Sequence, residues 1–156
     1  MKENNQLNVK KLFNSAFQNQ KKKNFKIAIS QYKKLIDINP NLALVYYNLG
    51  LIYEQLEETE VAKKNYKKSV KVDPLFFHSY NNLGILFQKQ GEKEKAIDNF
   101  KKVIEINSRY INAYNNLGLV YSSLGHYKVE MRYLLVLQFQ CPCLCLSWFF
   151  HLWATQ

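Results

Sequence analysis

The sequence predicts an all-α fold built from repeated helical hairpins, and three observations support this. The segment Tyr-Asn-Asn-Leu-Gly at positions 80–84 returns unchanged at 114–118, and with one change at 46–50, so the spacing is the same in both steps. A fixed period of about 20–50 residues is typical of repeat proteins. Within each period, apolar residues recur at the i, i+3, i+4 and i+7 spacing of one helical face. Pro40 and Pro74 stand at the same place in successive periods. We therefore expect about three and a half helix-turn-helix repeats.

The frame of the repeat divides the chain into segments. Residues 1–8 are rich in Asn and Gln and are expected to fray. Full units are expected over residues 9–42, 43–76 and 77–110, and the first helix of a fourth unit over 111–127. The individual helices are expected over residues 8–20, 24–38, 42–55, 58–71, 76–89, 92–105 and 110–123.

Small residues recur at matching places in the two helices of a unit. A glycine lies on the first helix (Gly50, Gly84 and Gly118), an alanine on the second (Ala28, Ala62 and Ala96), and an aromatic residue four positions later (Tyr32, Tyr66 and Phe100). Gly costs roughly 1 kcal/mol relative to Ala inside a helix, so its recurrence indicates a close approach of two backbones. The two prolines end second helices. In the third unit, which has no proline, residues 107–108 must supply the turn.

The charge balance bears on the class of partner. Lys and Arg outnumber Asp and Glu by 22 to 12, which gives a formal net charge of +10. The lysines occur in pairs spread along the chain, and arginine occurs only at Arg109 and Arg132. Because arginine is the usual reader of phosphates and base edges, this distribution favours a solvated lysine surface over a nucleic-acid site. The polar N-terminus and the absence of cysteine before residue 141 indicate an intracellular, cytoplasmic protein, with the nucleus as an alternative.

The pattern resembles the tetratricopeptide repeat (TPR). The residues that carry the resemblance in the second unit are Tyr46, Leu49, Gly50, Tyr53, Ala62, Tyr66 and Pro74, and most have counterparts in the third unit. The resemblance implies a right-handed superhelix, an α-solenoid, whose first helices line a concave surface. It also implies a protein–protein interaction scaffold that binds an extended peptide or a helix in the concave groove, is not an enzyme and has no cofactor.

The sixth residue of every unit is an asparagine. These residues form what we call the asparagine ladder: Asn14, Asn48, Asn82 and Asn116. An amide side chain offers both donors and an acceptor to the backbone of an extended peptide, although a general bias toward asparagine also explains some members. A similar ladder lines the TPR domain of protein O-GlcNAc transferases, so the resemblance implies peptide-backbone binding. Further candidate contacts on the same helices are Leu44, Tyr47, Leu51, His78, Asn81, Ile85, Asn112, Asn115 and Leu119. Phe13 and Phe17 are candidates for lining one end of the concave surface, although two aromatic residues at helical spacing also suit a core.

Two other kinds of site are disfavoured. The carboxylate clamp of TPR co-chaperones wants five polar or basic residues, and only Asn48 matches. The other four places hold Phe13, Phe17, His78 and Asn82. The three histidines lie far apart in sequence, and no phosphate-binding or HExxH motif occurs, so no catalytic site is predicted.

The end of the chain, residues 128–156, departs from the repeat and carries no charge from residue 133 onward. Three interpretations stay open: a membrane anchor over 133–153, a degenerate helix with an apolar cap, or a chain that is a truncated fragment of a longer TPR protein, such as a TPR-bearing O-glycosyltransferase. The abrupt change in composition favours the last. The alternate spacing of Cys141, Cys143 and Cys145 differs from that of zinc sites, so no metal is expected.

Overall fold

The computed structural model describes the backbone of residues 2–125 and the side chains of residues 6–125. This part of the chain is entirely helical apart from its turns, which confirms the all-α class. The helices are α1 (Lys2–Lys21), α2 (Phe25–Ile38), α3 (Ala43–Gln55), α4 (Thr59–Val72), α5 (Phe77–Lys89), α6 (Lys93–Ile106) and α7 (Ile111–Ser123). Apart from the start of α1, every helix end lies within one residue of its predicted position. The described residues fall into two compact units, one up to residue 86 and one from residue 87 onward, so the division lies within α5.

The start of α1 differs from the prediction. The helix begins at Lys2, so residues 2–8, which were expected to fray, are helical. Val9, Leu12 and Phe13 pack against the buried core of the first unit and anchor the helix there. Once a helix is anchored, each added residue gains a hydrogen bond without a new nucleation cost, so the polar segment continues the helix.

The core of the first unit is built on the predicted small residues and aromatic rings. Ala16, Ala28, Tyr32 and Leu35 form one buried cluster with residues of α3. In the next hairpin, a Cβ placed on Gly50 would lie only 2.4 Å from Cε1 of Tyr66. The backbone of α3 therefore lies directly on the ring from α4, which is the close approach that the recurring glycines predict.

The turn inside each hairpin shares one backbone feature. The fifteenth residue of every repeat has a left-handed conformation: φ is 60° at Lys23, 62° at Glu57, 78° at Gly91 and 75° at Gly125. In the first three turns the next N–H donates back across the turn at 2.9 Å, for example from Glu58 to the carbonyl of Tyr53. This is the bond of a Schellman motif. The sequence did not predict it, because Lys and Glu hold a place that favours glycine.

The loops between hairpins share a side-chain device. The side-chain oxygens of Asn39 and Asp73 each accept a hydrogen bond from the backbone N–H two residues later, at 2.9 Å. Asn107 does the same for the N–H of Arg109 at 3.1 Å. Such Asx turns stabilise the two loops that contain proline and also the third loop, which has none. The prediction that residues 107–108 supply the third turn is confirmed.

The second compact unit, from residue 87 onward, contains α6 and α7, which pack against each other. Their buried side chains are Ala96, Phe100, Val103, Ala113, Tyr114, Leu117 and Val120. The ammonium group of Lys93 donates to the carbonyl of Ser123 at 2.8 Å and ties the two helices together at one end.

The predictions for residues 128–156, including the anchor over 133–153 and the three cysteines, lie outside the described residues. Within residues 2–125, no helix combines the length and the apolar character that crossing a bilayer requires.

Candidate functional site

The first helices of the first unit carry most of the predicted contacts. On α1, α3 and residues 77–86 of α5, Asn14 and His78 are exposed, whereas Tyr47, Leu51, Asn82 and Ile85 are half-buried. Two predicted contacts are instead buried: the exposed fraction is 4% for Asn48 and 6% for Asn81. A side chain that is this deeply buried does not meet a peptide in the groove, so the predicted roles of Asn48 and Asn81 as peptide contacts are corrected.

The burial of the asparagines has a structural cause. Asn82 donates from Nδ2 to the hydroxyl of Tyr66 at 3.1 Å, and its Oδ1 accepts from Asn81 at 3.3 Å. The side chain of Asn48 is likewise hydrogen-bonded to the side chain of Tyr32. Each tyrosine belongs to the second helix of the preceding repeat. These two members of the asparagine ladder therefore join successive repeats, and only Asn14 is exposed among the three in this unit.

Each tyrosine hydroxyl also donates a hydrogen bond within its own repeat. Tyr32 donates to Oε1 of Gln20 at 2.7 Å, and Tyr66 donates to Oε2 of Glu54 at 2.9 Å. Burial raises the pKa of Tyr32 to about 12. Burial, and after it the negative charge of Glu54, raises the pKa of Tyr66 well above its usual range. Both hydroxyls therefore stay protonated and keep their donor role at neutral pH.

The surface formed by α1, α3 and residues 77–86 of α5 is called the first-helix face. Three rings form an aromatic cluster on it: Tyr47, Phe76 and His78. The ring centroids of Tyr47 lie 5.3 Å from Phe76 and 6.0 Å from His78, and those of Phe76 and His78 are 5.7 Å apart. Partial burial lowers the pKa of His78, which favours the neutral imidazole. Phe76 was not among the predicted contacts: it was expected to begin a helix, whereas in the structure it lies just before α5 and contacts Tyr47 and His78 from there.

An apolar groove of ≈ 560 Å³ opens beside this face, between α1, the end of α2 and the start of α3. Its lining includes Phe13 and Leu44, both at predicted concave positions, and Ile38 from the end of α2, with Lys10 at the same site. Phe13 also stacks on Phe17 at 6.4 Å and packs against the core. Phe13 and Leu44 lie on first helices, as the predicted contacts do, whereas Ile38 belongs to a second helix and was not predicted.

The remaining candidates lie on α7 in the second unit. Asn112, Asn115 and Leu119 are exposed, and Asn116 is half-buried. These residues share one face of the helix, since they follow the i, i+3, i+4 and i+7 spacing. Among the described residues, no three His, Cys, Asp or Glu side chains lie together in a way that could hold a metal ion. The described surface thus offers apolar and amide contacts to a ligand.

The chain matches three family models. The model described as TPR repeat matches residues 21–57 and 89–125. Two models described as tetratricopeptide repeat match residues 43–74 and 65–98. Together the matches run without a gap from residue 21 to residue 125, and each of the three models describes a repeat and none a catalytic domain. No curated protein sequence matches the chain.

Solved structures share the fold. A crystal structure of MamA is 25% identical with a TM-score of 0.78, covering 85% of this chain and 78% of that one. A second MamA structure is 24% identical with a TM-score of 0.75, covering 88% and 75%. The first TPR of Spaghetti (RPAP3), bound to the HSP90 peptide SRMEEVD, is 20% identical with a TM-score of 0.69, covering 75% and 93%.

Proposed function

We propose that this chain, which belongs to the tetratricopeptide-repeat family, is a protein-interaction scaffold that binds a peptide segment on the first-helix face of residues 6–86. A TPR of the same fold has been solved with a peptide bound. That likeness supports the class of ligand and not its sequence. The charged HSP90 peptide is a poor guide here, because Phe13 and Phe17 occupy places where a carboxylate clamp has polar or basic residues.

The observation that carries the proposal is a continuous apolar strip on α3. Leu44 belongs to the apolar groove, Tyr47 belongs to the aromatic cluster, and Leu51 follows one turn later. These three residues lie on one helical face, because residues three and four positions apart are neighbours. Leu44 is 44% exposed although it is fully apolar. An apolar patch that joins a groove to a ring cluster is typical of a protein-binding surface.

The chemistry of the strip defines the ligand that would fit. One aliphatic or aromatic side chain of the ligand would enter the groove beside Ile38, and a second would lie on the aromatic cluster. Aromatic rings with a polar edge, such as Tyr47 and His78, are common centres of binding energy. Of the asparagine ladder, Asn14 is the exposed member in this unit and the remaining candidate for a contact with the ligand backbone.

Some finer predictions stay predictions. The likeness to the TPR units of O-GlcNAc transferases rested on the asparagine ladder, and two of its members bond to tyrosines of the preceding repeat. The interpretations as a membrane-anchored adaptor or as a truncated fragment concern residues 128–156. The cytoplasmic location and the lack of enzymatic activity rest on the sequence.

The test begins with the selection of peptides from a random display library on the full chain. Binding of the selected peptides is then measured by fluorescence anisotropy for the wild type and three variants. Tyr47→Ala is expected to weaken binding about tenfold or more, and Leu44→Ala several-fold, since central apolar anchors dominate interfaces. Ile27→Ala is the matched control, because Ile27 is an aliphatic residue of similar exposure, 52%, on α2.

The outcomes separate cleanly. A loss confined to Tyr47→Ala and Leu44→Ala supports the proposal, provided that circular dichroism shows both variants to be folded. Failure to enrich any peptide, or an equal loss in Ile27→Ala, would overturn it.

A further inference from the structure

We infer that the outer face of α4 is a second docking surface, separate from the first-helix face, and that its partner is an acidic, Asp- or Glu-rich segment of another protein. The helix Thr59–Val72 contains five lysines and one acidic residue, Glu60, a formal net charge of +4. All five lysines of α4 and Glu60 line one surface depression of ≈ 440 Å³; the lysines are Lys63, Lys64, Lys67, Lys68 and Lys71. We call the four exposed lysines of this set, Lys64, Lys67, Lys68 and Lys71, the lysine ridge, whereas Lys63 is buried beside it.

The repeat architecture provides an internal comparison. The second helix of the next repeat, α6, contains four lysines but also three acidic residues. There Lys95 pairs with Glu92, and Lys102 pairs with Glu105 at 2.8 Å. Within α4 the only acidic residue is Glu60, and Glu58 stands just before the helix as Glu92 does before α6. The excess of positive charge is therefore concentrated on α4 rather than spread evenly over the second helices.

The ridge is held in place by packing. Lys63 is 9% exposed, and its ammonium group pairs with Glu60 at 2.8 Å. The ammonium group of Lys68 lies 5.6 Å from the ring centroid of Tyr46. Ala62, Tyr66 and Ser69 are buried, which directs the lysines to the opposite side of α4. Surfaces of one sign of charge attract an oppositely charged partner and speed its association.

The spacing of the lysines fits an extended acidic segment. Lys64 and Lys68 are four residues apart, as are Lys67 and Lys71, and this spacing is about 6 Å along the helix axis. In an extended peptide, side chains on one side recur every second residue, at about 6.6 Å. Carboxylates at alternate positions of such a segment would therefore meet successive lysines of the ridge.

Two other polyanions fit less well. Proteins that bind single-stranded nucleic acid combine a basic groove with exposed stacking rings. The ring of α4, Tyr66, is buried on the side away from the lysines, and Tyr46, the ring near Lys68, is buried too. A helix that lies on an anionic membrane inserts an apolar face, whereas the apolar face of α4 is covered by α3. An acidic protein segment needs neither feature.

The experiment measures binding of a fluorescein-labelled glutamate octapeptide to the full chain by anisotropy at low salt. The test variant is Lys64→Gln, Lys67→Gln, Lys68→Gln and Lys71→Gln combined. The matched control removes the same charge from α2 and α6 through Lys33→Gln, Lys34→Gln, Lys101→Gln and Lys102→Gln. Glutamine is a good helix former, so both variants keep the helix.

The expected result is a loss of affinity of about tenfold or more in the test variant and less than about twofold in the control, since four exposed charge pairs act together. An equal loss in both variants would show that only total charge matters and would overturn the inference. Absence of octapeptide binding would also overturn it, as would binding of a thymidine octanucleotide or of vesicles rich in phosphatidylserine in place of the octapeptide.

Discussion

Replacing Gly50 by alanine tests the packing between α3 and α4 directly. The new methyl carbon would lie 2.4, 2.6 and 2.9 Å from Cε1, Cδ1 and Cζ of Tyr66. Ordinary contacts between carbon atoms are about 3.5–4.0 Å, so the ring would have to move by about 1 Å. Tyr66 is fully buried, and its hydroxyl is held by Glu54 at 2.9 Å and by Asn82 at 3.1 Å. The ring therefore has no free direction in which to move.

Two effects of opposite sign set the magnitude. Alanine stabilises a helix by about 1 kcal/mol relative to glycine. Overpacking typically costs about 1–3 kcal/mol, and stretching the hydrogen bonds of Tyr66 adds about 1 kcal/mol. Because the overlap at Gly50 is severe, we take the upper part of this range and expect a net destabilisation of about 2–3 kcal/mol.

The assay is urea denaturation followed by circular dichroism at the helical band. A second variant isolates the cause: in a Tyr66→Ala background the ring is absent, so Gly50→Ala is expected to stabilise the protein by about 1 kcal/mol instead. A neutral or stabilising effect of Gly50→Ala in the wild-type background would refute the close approach of α3 to the ring.

The turns and the buried hydrogen bonds lead to three more predictions. Glu57→Gly should raise the free energy of unfolding by about 0.5–1 kcal/mol in the urea assay, because φ is 62° at this residue and glycine adopts it without strain. Asn48→Ala should lower the free energy of unfolding by about 1–2 kcal/mol, because the hydrogen bond to Tyr32 is lost. Asn14 is exposed, so Asn14→Ala should change the free energy of unfolding by no more than about 0.5 kcal/mol. Similar losses in both variants would contradict the role of Asn48 in joining two repeats. The pKa of Tyr32 is raised from 10.0 to about 12, so its contribution is complete below pH 10 and lost as the pH rises toward 12, by about 1.4 kcal/mol per pH unit. A Tyr32→Phe variant should show a correspondingly shallower alkaline loss.

Most of the fold could be predicted from spacing alone. The constant period of the repeat, the helical faces and the small-residue positions all depend on which residues recur and where. The loop at Asn107 was predictable because an Asx turn needs only one side chain. The left-handed residue at Lys23 and Glu57 was not, since neither residue type indicates a positive φ.

The candidate site was harder to predict. The position on a helix identified Tyr47, Leu44 and His78 as surface contacts. It does not show whether a side chain faces the groove or lies at the interface between two successive repeats. The sequence does contain a signal for the interface between repeats, because Tyr32 precedes Asn48 by the same number of residues as Tyr66 precedes Asn82. A hydroxyl and an amide that recur together at a fixed offset suit a hydrogen bond between repeats, which is how the structure uses both asparagines.

The central claim is that a peptide ligand lies on the first-helix face of residues 6–86. Its most direct test is a nuclear magnetic resonance titration of the isotopically labelled full chain with a peptide from the display selection. The account predicts that the largest chemical-shift changes occur at Phe13, Leu44, Tyr47 and His78. Residues on the outer faces of α2 and α4 should show little change in chemical shift. Changes concentrated on those outer faces, with Leu44 and Tyr47 unaffected, would contradict it.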